Sequence, residues 1–334
     1  MIQPMTRRID ISAKTIIFIT AFFLSLWIVF QILDIILLLF LAFIFMSALS
    51  PLADRISRRG VPRVLAVIII FVLILASLSG LITVGLTPFI NQTSSLFTKL
   101  AEVISSLLQT TRIDQSVINQ ELANLSRELV NFTVDVFRNI ISFVTVLVIT
   151  IYMVLDREKI EHYLTSLFVG RQEKVKKLLV RIEDKLGAWL RGQVILSLIV
   201  GSLTFVGLFL LGVEFALPLA IIAGLFEVVP VIGPILAAIP AILVALTISP
   251  FATALVTILY FAIQQLEGHL IVPQVMRRAV GLNPILVILA VTVGGRLLGL
   301  GGALLAVPIA VVIQLIIQEG LGPDSEKNII EEIP

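Results

Sequence analysis

A strongly apolar stretch broken in its middle by glycine and proline occurs twice in this chain, and few folds can accommodate it. The first copy runs from Pro218 to Ser249 and breaks at Pro230-Val-Ile-Gly-Pro234. The second runs from Pro284 to Gln318 and breaks at Gly294-Gly-Arg-Leu-Leu-Gly-Leu-Gly-Gly302. After each break the chain reads alike, Gly233-Pro-Ile-Leu-Ala-Ala-Ile-Pro240 and then Gly301-Gly-Ala-Leu-Leu-Ala-Val-Pro308. Five of the fourteen positions counted from Gly233 and from Gly301 are identical. Two Ala/Leu-rich stretches can match by chance. The alternative is an internal repeat of broken helical hairpins, the pattern that points to the substrate region of membrane transporters.

Composition decides the environment. The chain is 58% hydrophobic and 14% charged, with a mean hydropathy of +1.11. Several apolar runs exceed the ~18 residues that mark a bilayer span. The expected fold is therefore an all-α polytopic membrane protein whose main partner is the lipid bilayer. A net charge of +2 is too small to suggest nucleic acid as a partner. The absence of cysteine excludes disulfides, thiolate metal ligands and a cysteine nucleophile. Arg7, Arg8 and Lys14 precede a long apolar stretch, which reads as an uncleaved first span.

Residues 15–50 are too long for one span and carry Asp34 near their middle. A charge at the bilayer centre costs roughly 2.5–3.5 kcal/mol on insertion scales. A tight helical hairpin with Asp34 at its external turn resolves this. Arg55, Arg58, Arg59 and Arg63 then mark an inner loop, and a third span follows over 64–87. In residues 89–139, Ile118, Leu122, Leu125, Leu129, Phe132 and Val136 keep heptad spacing, as do Leu96, Leu100, Val103 and Leu107. This predicts an external amphipathic helical hairpin, packed on itself or on another subunit. A fourth span covers 140–155. The stretch 156–191 is basic and amphipathic, with Trp189 on its apolar face. It lies in the inner interface or packs on the protein core. A fifth span covers 192–212 and a sixth 251–266.

The chain thus divides into a three-span region (1–88), the external hairpin (89–139), a fourth span with its basic helix (140–191), a transport region of two span-plus-hairpin units (192–318) and a polar tail (319–334). About six full spans and the two broken hairpins account for the apolar sequence. Basic loops at 51–63, 156–191 and 267–283 place both termini in the cytoplasm. The arm 216–229 gives about 21 Å of helix against a hydrocarbon core of ~30 Å. That shortfall favours re-entrant hairpins over crossing ones. Entering from opposite sides, they form an inverted repeat suited to alternating access.

Polar groups at membrane depth invite a functional reading. Glu227 stands at the first break, where Pro230, Gly233 and Pro234 leave backbone carbonyls without intrahelical donors. Arg296 occupies the second break among Gly294, Gly295, Gly299, Gly301 and Gly302. It can face Glu227 as a counter-ion, or either tip can be solvated at the interface. Gln264, Gln265, Glu267 and His269 end the sixth span, and Gln264, Glu267 and Ile271 share a helical face. His269 and His162 read more simply as loop residues. There is no P-loop signature, no H-E-x-x-H and no G-x-S-x-G. The expectation is a protein that is not an enzyme, with no metal site and no cofactor. A membrane scaffold built on residues 89–139 is a further alternative, although a scaffold has no need of two broken hairpins.

The second half of the chain resembles the autoinducer-2 exporter family. The resemblance rests on Arg191-Gly-Gln193, Glu227-Val-Val-Pro-Val-Ile-Gly-Pro234, Gln264-Gln-Leu-Glu-Gly268, Pro273, Val280-Gly-Leu-Asn-Pro284, Gly294-Gly295 and Gly299-Leu-Gly-Gly-Ala-Leu-Leu-Ala-Val-Pro308. Val231 and His269 depart from the residues usual in the family, where an aromatic residue and Asn are common. The resemblance implies an inner-membrane secondary transporter. Its substrate class is a small polar metabolite such as autoinducer-2, exported with coupling to protons through Glu227. The alternative is sodium(lithium)/proton antiport. It adds Asn283 and Pro284 to the candidate pathway and implies a homo-oligomer, with a pentamer as the expected state.

Overall fold

The structure is a computed structural model that describes residues 13–81, 83–84, 120, 124, 127, 140–230, 232–276 and 281–320. Among these residues the chain is helical, without strands. In order the helices are α1 (Ala13–Gln31), α2 (Leu33–Ser57), α3 (Arg63–Leu81), α4 (Ile140–Leu155), α5 (Arg157–Ser166), α6 (Gln172–Leu210), α7 (Ala216–Phe226), α8 (Ile232–Ile248), α9 (Pro250–Leu266), α10 (Val272–Met276) and α11 (Pro284–Gly320). A π-helical turn, Glu267–Ile271, joins α9 to α10. Six helices are long and apolar enough to cross a membrane: Lys14–Gln31, Leu33–Ser57, Arg63–Leu81, Gln172–Leu210, Pro250–Met276 and Gly301–Glu319. This is a multi-pass membrane protein. The six differ from those expected in one respect. The expected fourth span is described from Ile140 to Leu155, directly after residues outside the described ones, and the second arm of the second hairpin is long enough to span.

One sequence expectation is corrected at the N-terminal side. The chain does not reverse at Asp34. Only Ile32 separates α1 from α2, and its N–H donates to Ile28 while its carbonyl accepts from Ile36. Helical bonding therefore continues on both sides of one irregular residue. An αα-hairpin needs a loop of two to five residues, so the axis bends without turning back. Asp34 sits in the first turn of α2 and is exposed. The basic segment takes the second of its two sequence readings and packs on the protein core. Residues 172–191 are not a separate interfacial helix but the first half of α6, which runs unbroken to Leu210. A helix continuous with a span cannot lie in the membrane plane. Its apolar face is buried in protein, with Leu186 at 0% and Trp189 at 2% exposure. The expected external hairpin lies outside the described residues, except that Gln120, Asn124 and Arg127 are helical and exposed. Arg277, Arg278 and the tail beyond Gly320 also lie outside them.

Three apolar clusters hold the bundle. Met46 and Ala53 of α2 meet Val67 and Phe71 of α3 and Leu147 and Val154 of α4. Ile44 of α2 meets Leu186 and Trp189 of α6 and Ala303 to Val307 of α11. Leu208 of α6 packs with Leu219 of α7, Ala241 and Val244 of α8 and Val256 of α9. Pro51 explains how α2 and α6 join. It has no N–H to give to Ser47, and the Nη1 of Arg191 donates instead to the carbonyls of Ser47 (3.4 Å) and Ala48 (3.2 Å). At Gly187 the two helices come so close that a Cβ would strike the Ser47 carbonyl.

Helix α5 is tied to α6 by an ion pair. Nε and Nη2 of Arg157 donate to one Glu183 oxygen at 2.9 and 2.6 Å. The Glu183 side chain is 6% exposed, so removing the cation strands a buried carboxylate. Arg157→Ala is expected to cost about 2 kcal/mol, the partial exposure of Arg157 moderating the usual 3–5. Thermal unfolding in detergent measures this. The Arg157→Met, Glu183→Leu double variant should recover most of the loss, because the stranded charge is gone.

Candidate functional site

Both breaks are true helical hairpins. In the first, the turn that begins at Glu227 reverses the chain between α7 and α8, and a Cβ on Gly233 would overlap the carbonyl of Phe226. In the second, α11 breaks at Leu298 (φ −134°, ψ 15°) and Gly299 (φ 62°, ψ −143°), the latter a left-handed value that favours glycine. A Cβ on Gly302 would meet the Gly294 carbonyl, and one on Gly294 would meet that of Gly302. The arms therefore touch backbone to backbone. The repeat is offset by one residue in its detail. Gly301, the sequence counterpart of Gly233, faces open space, and Gly302 makes the close contact. Pro240 and Pro308 lie buried within α8 and α11.

The depth of the first tip is set by α6. Gly201 and Gly224 let α6 and α7 approach, with the Ala220 carbonyl beside Gly201 and the Ser197 carbonyl beside Gly224. This antiparallel register brings Glu227 to Gln193, whose Nε2 donates to the Glu227 carbonyl at 2.6 Å. Four further carbonyls of this segment are also taken. Leu225 accepts from Val228, Phe226 from Val229, Val229 from Gly233 and Pro230 from Ile232. The carbonyls of Phe226 and Pro230, which Pro230 and Pro234 cannot reach, are therefore not free, and the buried side chains are the groups here that remain to do chemistry.

Glu227 is 1% exposed, among the largest fully buried side chains of the described residues. Its neighbour is not Arg296 but Glu267, 7% exposed, with the two carboxyl groups within hydrogen-bonding reach of each other. The π-turn after α9 carries Glu267 into this position, and such turns recur at functional sites. Gln264 Nε2 donates to Glu267 Oε2 at 3.3 Å. Glu227 Oε2 is buried with no hydrogen-bond donor from the protein. Two carboxylates have no hydrogen to share, so this pair is satisfied by a proton or a cation between them.

The pair forms part of the wall of a cavity of about 520 Å³. Trp189 and Gln193 of α6, Pro230 of the first tip, Gln264 of α9 and Met276 of α10 line it. Val287, Ile288 and Val307 add the arms of the second hairpin. The tips do not meet: Val229 of the first packs on Val291 and Ala303 within the arms of the second. Arg296 is exposed and has no ion pair among the described residues. Gln265 is exposed, and its carbonyl lies 3.0 Å from Nδ1 of the exposed His269. Asn283 serves the start of α11, accepting from Ile285 N–H at 2.9 Å, with Pro284 in the first helical position that suits proline. Gln193 is the site residue that motif reading passed over as a functional group. Its signals were an amide side chain opening the apolar run of α6 and its place in the Arg191-Gly-Gln193 motif. Among the described residues no three His, Asp or Glu groups are arranged to hold a metal.

Comparison with known proteins agrees with this architecture. A family profile described as AI-2E family transporter matches residues 16–322. The chain is similar to the AI-2 transport protein TqsA of Escherichia coli K12, 29% identical over 312 residues that cover 89% of this chain and 88% of TqsA. It is 28% identical to YrrI of Bacillus subtilis, covering 80% and 81% of the two chains. It is also 28% identical to MT0215 of Mycobacterium tuberculosis, covering 96% and 93%. Both of these are named provisionally as transport proteins.

Proposed function

The chain belongs to the AI-2E transporter family, and on that premise we propose that it is a proton-coupled secondary transporter whose solute binds beside the Glu227–Glu267 pair. The observation that carries this reading is the buried carboxyl pair with its donorless oxygen. At membrane depth such a pair is costly, and exchange of a proton for a ligand is what it can do. A cavity of about 520 Å³ lined by Gln193, Gln264 and Trp189 suits a small polar organic solute. One relative bears the name of an AI-2 transport protein, and a furanone-type polyol such as autoinducer-2 is the proposed cargo, moving outward. Alternating access arises as the first hairpin tip moves against the arms of the second. The protein resides in the inner membrane with both termini cytoplasmic and works as a homo-oligomer, with a pentamer as its proposed form.

A second reading, sodium(lithium)/proton antiport, is favoured by one observation. Glu227 Oε2 is free to bind a small cation directly. Proteoliposomes with a pH-sensitive dye inside separate the two. Proton movement on adding a small polyol supports the first reading, and movement on adding Na⁺ or Li⁺ supports the second. A lumen whose pH responds to neither class of solute sinks both.

A further inference from the structure

A second cavity of about 360 Å³ adjoins the first, and Gln264 and Glu267 line both. It lies further along α6, where Thr204 follows Gln193 by three turns, about 16 Å of helix. On α9 it is bounded by Tyr260, two turns before Glu267 and about 10 Å away. Both elements therefore carry it away from the basic end of α6 towards the opposite membrane face. The first cavity extends the other way, to Met276, Gly281 and Leu282 beside the basic loop.

Two of the three hydroxyls that line this second space, those of Thr204 and Tyr260, are unusual. Thr150, Thr257 and Thr292 return their hydroxyl hydrogen to the carbonyl four residues back. Thr204, at 0% exposure, does not, and its Oγ1 is buried without a partner. The Tyr260 hydroxyl is likewise buried without a partner. Buried hydroxyls are nearly always hydrogen-bonded; most of this wall is apolar, but Thr204, Tyr260, Gln264 and Glu267 offer ordered water the two to four polar partners that it needs. Among the residues lining this space Glu267 and Tyr260 are titratable, and none is a lysine or arginine.

We propose that the second cavity is a water-filled half-channel in which Thr204 and Tyr260 carry protons between Glu267 and the membrane face opposite the basic loops. The Glu227–Glu267 pair then stands at the junction of two compartments. It exchanges with solute on the basic side and with protons on the other. This rests on the carboxyl-pair reading above, and its test is separable from it.

The chain has no cysteine, so Thr204→Cys is a single-cysteine reporter. In proteoliposomes of defined orientation, a small charged thiol reagent is expected to modify it from the face opposite the basic loops and not from the basic face. Tyr260→Phe should slow solute-driven proton flux about tenfold while leaving equilibrium binding of the polyol or of Na⁺ unchanged. Thr204→Ser should behave as the parent protein. Modification of Thr204→Cys from neither face, or from the basic face alone, overturns the half-channel, as does full proton flux in Tyr260→Phe. If Glu227→Gln retains full flux while Thr204→Cys still reacts from the far face, the carboxyl pair fails and the cavity is wet for another reason.

Discussion

Replacing Glu267 with glutamine is expected to give a folded protein, slightly more resistant to heat, that no longer couples transport to protons. The amide brings an N–H within reach of Glu227 Oε2, which has no protein donor. Supplying the missing hydrogen bond should add about 1 kcal/mol of stability. The same change removes the group that takes and releases the proton. A positioned side chain contributes about 10²–10⁴-fold to a proton transfer, so flux driven by a pH gradient should fall by at least about 10²-fold. Glu227→Gln should match it, since its amide can donate to Glu267 in return. Flux measured in proteoliposomes beside thermal unfolding in detergent gives both signs at once. A variant that is less stable and still transports would place the carboxyl pair outside the mechanism.

The second large effect is on folding and is confined to particular glycines. Gly233→Ala puts a methyl group into the Phe226 carbonyl. Neither backbone can yield without opening the hairpin and withdrawing Glu227 from Gln193. Overpacking of this kind typically costs 1–3 kcal/mol, and here a backbone atom is struck, so a loss of about 3 kcal/mol or more is expected. Gly302→Ala meets the Gly294 carbonyl and should behave in the same way. Gly301→Ala enters open space on a helix and should gain a few tenths to about 1 kcal/mol from helix propensity. Monodispersity and unfolding temperature in detergent should therefore rank Gly301→Ala above the parent and both other variants well below it. Equal tolerance at all three positions would contradict the close arm contacts.

Much of the architecture was legible because bilayer insertion leaves strong marks in sequence. Long apolar runs, basic loops and the two Gly/Pro breaks located helices and hairpins within a few residues. What failed depends on contacts distant in sequence. Asp34 looked like a turn because a charge in an apolar run suggests one, yet an exposed carboxylate can occupy a first helical turn, where the dipole favours it. Trp189 stood undecided between interface and core, because periodicity shows an apolar face without saying whether lipid or protein covers it. Glu227 and Glu267 were each visible as polar residues at membrane depth. Their pairing was not, because it depends on the α6–α7 register set at Gly201 and Gly224 and on the π-turn that redirects Glu267. Reading the two breaks as equivalent drew attention to Arg296 instead.

The two hairpins share a fold without sharing a chemistry. Each reverses a helix on itself and lets a glycine make the close contact between the arms, but one tip buries an acid against a second acid and the other presents an exposed cation. Two hairpins of like build thus carry tips of unlike charge. Under the carboxyl-pair mechanism proposed above, the described residues supply one such pair per polypeptide, so an assembly of n subunits would carry n of these pairs rather than 2n.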